Sequence, residues 1–181
     1  MSSSDDSFHS AMSDISFCSI DNDGLTLGEH LMNNLSPYSH NFNICHINAQ
    51  SVPSHFSDIY DTFNLKNLHA LLISETWLKP SLQSSSFSIP GFILIRNDRI
   101  GKRGGGVAIY LKSSIPFKVI DQSPSTYSSS AEYLFIELNL GIKIAVGVIY
   151  CPPNIDYFNQ LELIFENIIS NYTYVIFMGD L

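Results

Sequence analysis

Basic residues are missing from the front of this chain: the first lysine or arginine is Lys66. Without an early cationic stretch there is no signal-peptide or transit-peptide pattern. Long apolar runs are missing too. Ile144 to Tyr150 is among the longest and is strand-sized, far short of a bilayer span, so no membrane partner is expected. Cysteine is scarce. Cys18, Cys45 and Cys151 are odd in number and far apart, which offers neither a zinc spacing nor a disulfide framework and favours a reducing compartment. The six histidines show no ligand spacing either. Charge is sparse, at 14% of residues, and its balance is acidic, with a net charge of −8. That balance excludes a basic nucleic-acid-binding domain as a whole. One local exception stands out: Arg96, Arg99, Lys102 and Arg103 crowd into a single positive patch.

What is present suits one globular domain. A length of 181 residues with 45% hydrophobic content is enough for a sizeable core and too little for two comfortable ones. Residues 1–40 hold six acids and no lysine or arginine, are rich in Ser, Asp and Asn, and lack a sustained period. They read as a disordered or weakly structured leader. Asp21-Asn22-Asp23-Gly24 within them has the look of a calcium loop, but His30 stands where the bidentate acid is needed, so a turn is expected.

Order is expected from Asn41 to Leu181. Phe42 to Asn48 alternates as a strand. Pro53 to Leu65 follows as a helix, with Phe56, Ile59, Tyr60 and Phe63 on one side. Leu68 to Ile73 is continuously apolar, the pattern of a strand buried on both faces. Strand, helix and strand in this order make a βαβ-like unit, which places Asn48 and Glu75 at neighbouring strand ends. Ser81 to Ser88 reads as a loop, and further strands are expected at 92–96, 107–111, 117–120, 133–138 and 142–150. Tyr157 to Ile169 is an amphipathic helix, and Tyr174 to Met178 a buried strand running into Gly179-Asp180. Arg99 to Gly106 joins two of these strands through three successive glycines. It is read either as a phosphate-approaching loop or as a solvated hairpin tip.

Four strand ends therefore carry Asn48, Glu75, Tyr150 and Asp180. In α/β sheets the ligand crevice lies beyond the carboxyl ends of the strands. The wording around these residues resembles the endonuclease/exonuclease/phosphatase superfamily. Within it, the chain is similar to the apurinic-type endonuclease domain of non-LTR (LINE-type) retrotransposons. The matching pieces, in order, are Ile47-Asn48-Ala49-Gln50-Ser51, Ser74-Glu75-Thr76-Trp77-Leu78, Arg99 through Leu111, Gly147 through Pro153, and Met178-Gly179-Asp180.

The resemblance implies a two-sheet α/β sandwich with outer helices (deoxyribonuclease-I-like) and a Mg²⁺-dependent (or Mn²⁺-dependent) endonuclease that nicks DNA. By the same resemblance Glu75 and Asn48 would serve the metal and Asp180 the attacking water, while Tyr150 would donate to a phosphoryl oxygen. Arg99, Lys102 and Arg103 are implied DNA contacts, a downstream reverse transcriptase an implied partner, and the nucleus an implied location. The family's asparagine two places after the aspartate and its Ser-Asp-His motif have no counterpart here. The chain is therefore expected to be a C-terminally truncated domain, weak or inactive alone. The alternatives are a non-catalytic remnant acting as a binding module, and an enzyme of the same class acting on a phosphoinositide or sphingolipid.

Overall fold

In the computed structural model of the protein, the described residues are 15–17, 33, 35–38, 41–63, 67–153 and 156–181. Strands β1 (Ile15–Phe17), β2 (Phe42–Asn48), β3 (Ala70–Ser74), β4 (Phe92–Asn97) and β5 (Val107–Lys112) form one sheet, ordered β1-β2-β3-β5-β4. Strands β6 (Phe117–Gln122), β7 (Glu132–Asn139), β8 (Lys143–Tyr150) and β9 (Tyr174–Asp180) form a second sheet in chain order. Both sheets are mixed: β1–β2, β2–β3 and β8–β9 pair in parallel, the other neighbours antiparallel. Helix α1 (Val52–Phe63) links β2 to β3, and α2 (Phe158–Asn171) links β8 to β9.

Strands β3, β5 and β8 lack polar alternation because both of their faces are covered. From β2 and β3, Ile44, Ala70 and Leu72 point between the sheets, where they meet Leu134, Ile136, Val146 and Val148 of the second sheet. Their alternate neighbours Cys45, Leu71 and Ile73 point outward onto Val52, Ile59 and Phe63 of α1. The second sheet repeats the arrangement, with Phe135, Ala145 and Ile149 packed beneath Ile164 and Ile168 of α2. The result is an α/β sandwich with the sheets inside and the helices outside.

Two parallel βαβ units fix where the polar strand ends go. Asn48 stands opposite Ser74 in the β2–β3 register, so Glu75 emerges beside Asn48. Tyr150 stands opposite Asp180 in the β8–β9 register. β9 runs on through Gly179 to Asp180, past the expected end at Met178, because Ile149 and Tyr150 offer it parallel partners.

The Ser-rich loop after Pro80 holds a 3-10 turn at Ser84–Phe87, and its Phe87 carbonyl accepts the buried Tyr110 hydroxyl at 2.6 Å. Residues 1–40 were read as a leader, and Ile15–Phe17 within them adds an edge strand to the first sheet. Asp21-Asn22-Asp23-Gly24, read as a turn, lies outside the described residues. So does residue 65, the expected end of α1.

Candidate active site

Where β3 ends, the backbone leaves regular structure. Glu75 (φ 52°) and Trp77 (φ 53°) both take left-handed conformations, as does Gln50 (φ 44°) opposite them. Each such non-glycine residue costs about 1–3 kcal/mol and persists only where its surroundings over-determine it. Here they do. Ala49, Ser51 and Val52 donate backbone N–H groups to the carbonyls of Ser74, Glu75 and Thr76 at 3.0, 3.0 and 2.8 Å. From the other side, Thr76 and Trp77 donate to the carbonyls of Gly106 and Gly105 at 3.1 and 2.8 Å. The Glu75 carboxylate is thus presented from a backbone clamped on both flanks.

The glycines are what let the second clamp close. A Cβ on Gly106 would sit 2.6 Å from the Thr76 hydroxyl, and one on Gly105 would lie 2.1 Å from the Arg99 guanidinium. Of the two readings of this loop, neither describes its inner half: Gly105 and Gly106 are buried and face Glu75's own segment.

The side chains then converge. The Asn48 amide nitrogen donates to Glu75 Oε1 at 3.2 Å and also to Asp180 Oδ2. Asn48 Oδ1 accepts the Gln50 N–H at 3.0 Å, which sets which way the amide faces. Ser74 Oγ donates to the same Asp180 oxygen at 3.1 Å and lies 3.1 Å from His46 Nε2. The Trp77 indole N–H donates to Glu75 Oε2 at 3.0 Å.

Tyr150 lies close enough to Glu75 to feel its charge. Its burial first, and then that carboxylate, push the phenol up to about 12, so it stays a donor at neutral pH. Burial pulls His46 below its ordinary value, against the opposing charge of Asp180. The four residues expected at strand ends thus lie in one connected set.

That set offers two carboxylates as oxygen ligands, while the Asn48 amide turns its N–H₂ toward them and its oxygen toward the Gln50 N–H; neither acid has an ion-pair partner among the described residues. Such a set fits a hard divalent cation, and magnesium needs only one or two protein carboxylates beside substrate oxygens. Among the described residues no group of three or more His, Cys, Asp or Glu gathers into a fuller metal cage.

The basic patch divides. Arg96 is tied to Asp98 by Nε at 2.8 Å and reaches back to the carbonyls of Leu82 and Lys79. Arg99 is buried, paired through Nε with Glu132, and its guanidinium lies 5.0 Å from the Tyr127 ring and 5.7 Å from the Tyr150 ring. The other oxygen of Glu132 accepts the Gly106 N–H at 2.6 Å. Arg99 therefore braces the glycine clamp from inside.

Lys102 and Arg103 are exposed. Lys102 donates to the Tyr127 hydroxyl at 2.9 Å, and the Arg103 guanidinium lies 5.2 Å from the Trp77 ring. Together with Lys79 and Pro80 they line a groove beside Trp77.

His46, Trp77 and Glu132 were not among the expected site residues, and Ser74 appeared only as part of a motif. Two had visible cues: Trp77 is the single tryptophan and follows an acid by two, and Glu132 opens an apolar run. His46 had none, since its partner lies on the next strand.

No protein-family model matches the chain, and no curated protein matches it. Solved structures do. An AP endonuclease from Archaeoglobus fulgidus superposes with a TM-score of 0.53 at 16% identity, over 76% of this chain and 56% of that one. A 3′-5′ exonuclease from Neisseria meningitidis gives 0.52 at 15% identity, over 76% and 57%. The catalytic domain of human Nocturnin gives 0.52 at 13% identity, over 71% and 56%. These neighbours are members of the endonuclease/exonuclease/phosphatase superfamily. The chain has a deoxyribonuclease-I-like fold. It spans a little over half the length of each deoxyribonuclease-I-like neighbour named here.

Proposed function

We propose that the site hydrolyses phosphodiesters in DNA with magnesium (or manganese), as a nicking endonuclease of the non-LTR retrotransposon type. One observation carries this reading: a single amide, Asn48, holds the carboxylates of Glu75 and Asp180 together from opposite sheets, beside the Tyr150 hydroxyl.

Glu75 would hold the cation, which supplies charge stabilisation at the phosphate when bound, and Asn48 would serve that site through the N–H groups that keep the two carboxylates in place. Asp180 takes a proton from the attacking water as its oxygen closes on phosphorus and the bond to the leaving oxygen breaks in line. Tyr150, kept protonated, donates to a phosphoryl oxygen, where a preorganised donor matters most as charge develops. Lys102 and Arg103 track the backbone phosphates, and Arg99 positions the loop that carries them. A nucleic-acid substrate agrees with two neighbours, an AP endonuclease and a Neisseria 3′ phosphatase bound to a product DNA hairpin. The retrotransposon type rests on the motifs at Asn48, Glu75 and Asp180, and brings with it a reverse transcriptase as partner and a nuclear location.

Nicking of supercoiled plasmid tests the reading. Slow nicking that needs Mg²⁺ and disappears in Glu75→Gln is expected; equal nicking by wild type and Glu75→Gln would contradict it.

A second reading, a module that binds nucleic acid without cutting it, is favoured by the sparse ligand set, two carboxylates with no third acid or histidine grouped beside them among the described residues. DNA binding that survives Glu75→Ala, with no nicking by either protein, would select it.

A further inference from the structure

We propose that His46 is a positioning residue that acts through Ser74 to hold Asp180, leaving Asp180 Oδ1 as the oxygen that meets the attacking water. The proposal rests on the reading of Asp180 as the group that receives the water's proton.

The inference follows from counting protons along three contacts. A carboxylate can only accept hydrogen bonds, whereas a serine hydroxyl has one proton to give. Ser74 Oγ lies 3.1 Å from Asp180 Oδ2, so its proton points there. The same Oγ lies 3.1 Å from His46 Nε2, and with its proton committed it can only accept from that side. His46 Nε2 must therefore carry a hydrogen. The donors run one way, from His46 on β2 through Ser74 on β3 to Asp180 on β9. In such a chain each bond polarises the next, so the histidine strengthens the bond that Ser74 makes to Asp180.

The second half of the argument is which oxygen is used. The Asn48 amide also donates to Oδ2, so both donors converge on one atom of Asp180. Oδ1 has no donor among the described residues. Two hydrogen bonds fix the carboxylate plane and lower the basicity of Oδ2, which leaves Oδ1 the more basic oxygen and the one free to accept a proton. Ser74 is fully buried, so water does not compete for its hydroxyl.

Nuclear magnetic resonance of the whole chain tests this without turnover. Long-range proton–nitrogen spectra are expected to show His46 with hydrogen on Nε2, and Ser74→Ala or Asp180→Ala to abolish the preference. In ¹³C spectra the Asp180 carboxylate signal is expected to move in His46→Leu. It should return toward wild type in His46→Gln, whose amide supplies a donor near the place of Nε2. Backbone amide spectra identify any variant that has not folded, and the wild-type result stands without variants.

His46 with hydrogen only on Nδ1 would overturn the proposal. So would an Asp180 signal that moves equally in His46→Leu and His46→Gln. Because these signals need no cleavage, a chain that gives them and nicks no plasmid counts against the nuclease reading alone.

Discussion

Asn48 and Asp180 lie 132 residues apart and on different sheets, and the amide of the first donates to the carboxylate of the second. The same nitrogen serves Glu75, so two acids that would repel each other share one neutral donor. Their closeness is affordable only while that donor is there. Asn48→Ala is expected to lower the nicking rate about 100-fold, the usual scale for losing one preorganised donor, with KM little changed. Asn48→Asp should be no better, since it adds a charge and removes the donor. Initial rates on supercoiled plasmid check both.

Gly179 sets the height of Asp180. A Cβ there would meet the Ile149 carbonyl oxygen at 1.7 Å, inside the parallel β8–β9 ladder. Backbone cannot swing aside as a flexible side chain can. Gly179→Ala is therefore expected to destabilise the chain by about 1–3 kcal/mol or more, the range for overpacking. Urea unfolding measures it, and the Asn48–Asp180 bond should be lost with it.

The basic residues of one loop should part company by experiment. Arg99 and Glu132 are a buried pair, and removing one partner of such a pair costs about 3–5 kcal/mol. Arg99→Ala and Glu132→Ala should therefore both unfold at lower urea. Lys102→Ala and Arg103→Ala lie on the surface and should leave stability alone. Each should weaken DNA binding uniformly across sequences and reduce the salt slope by about 1. Fluorescence anisotropy at several salt concentrations reads the difference.

The tyrosines should titrate in separate groups. Tyr150 and Tyr172 are each pushed up to about 12, burial being the first cause, with Glu75 and Glu137 adding to it. Burial raises Tyr110 as well. Half-buried Tyr127 goes the other way, because Lys102 donates to its hydroxyl. Groups whose folded value lies above the ordinary 10.0 contribute stability that is complete below that pH. That contribution is lost as pH rises towards about 12. Tyrosinate absorbance should thus show one early phenol, which Lys102→Met delays, and a late group that ionises as the melting temperature falls.

Much of this architecture was readable from local pattern. Continuous apolar strands such as Leu68 to Ile73 announce burial on both faces, and the interposed helix makes β2 and β3 parallel, which is enough to put Asn48 beside Glu75. The pairing of Tyr150 with Asp180 follows from the same logic. What could not be read was how the two units face each other, because nothing local encodes a contact across 132 residues.

Arg99 shows the same limit. In sequence it is one of four cations near three glycines, and only its pairing with Glu132, itself in register with Tyr150, turns it inward. The left-handed backbone at Glu75 and Trp77 was equally hidden, since neither residue type favours it. It is imposed by the carbonyls of Gly105 and Gly106.

Manganese offers the most direct test that the Asn48–Glu75–Asp180 cluster is a cation site. Added to ¹⁵N-labelled chain, its unpaired electrons broaden nearby amide signals whether or not any DNA is cut. Selective broadening at residues 48–51, 74–77 and 180, reversed by excess Mg²⁺ and absent in Glu75→Gln, is the result expected here. Broadening that ignores Glu75→Gln, or that centres elsewhere on the chain, would contradict it.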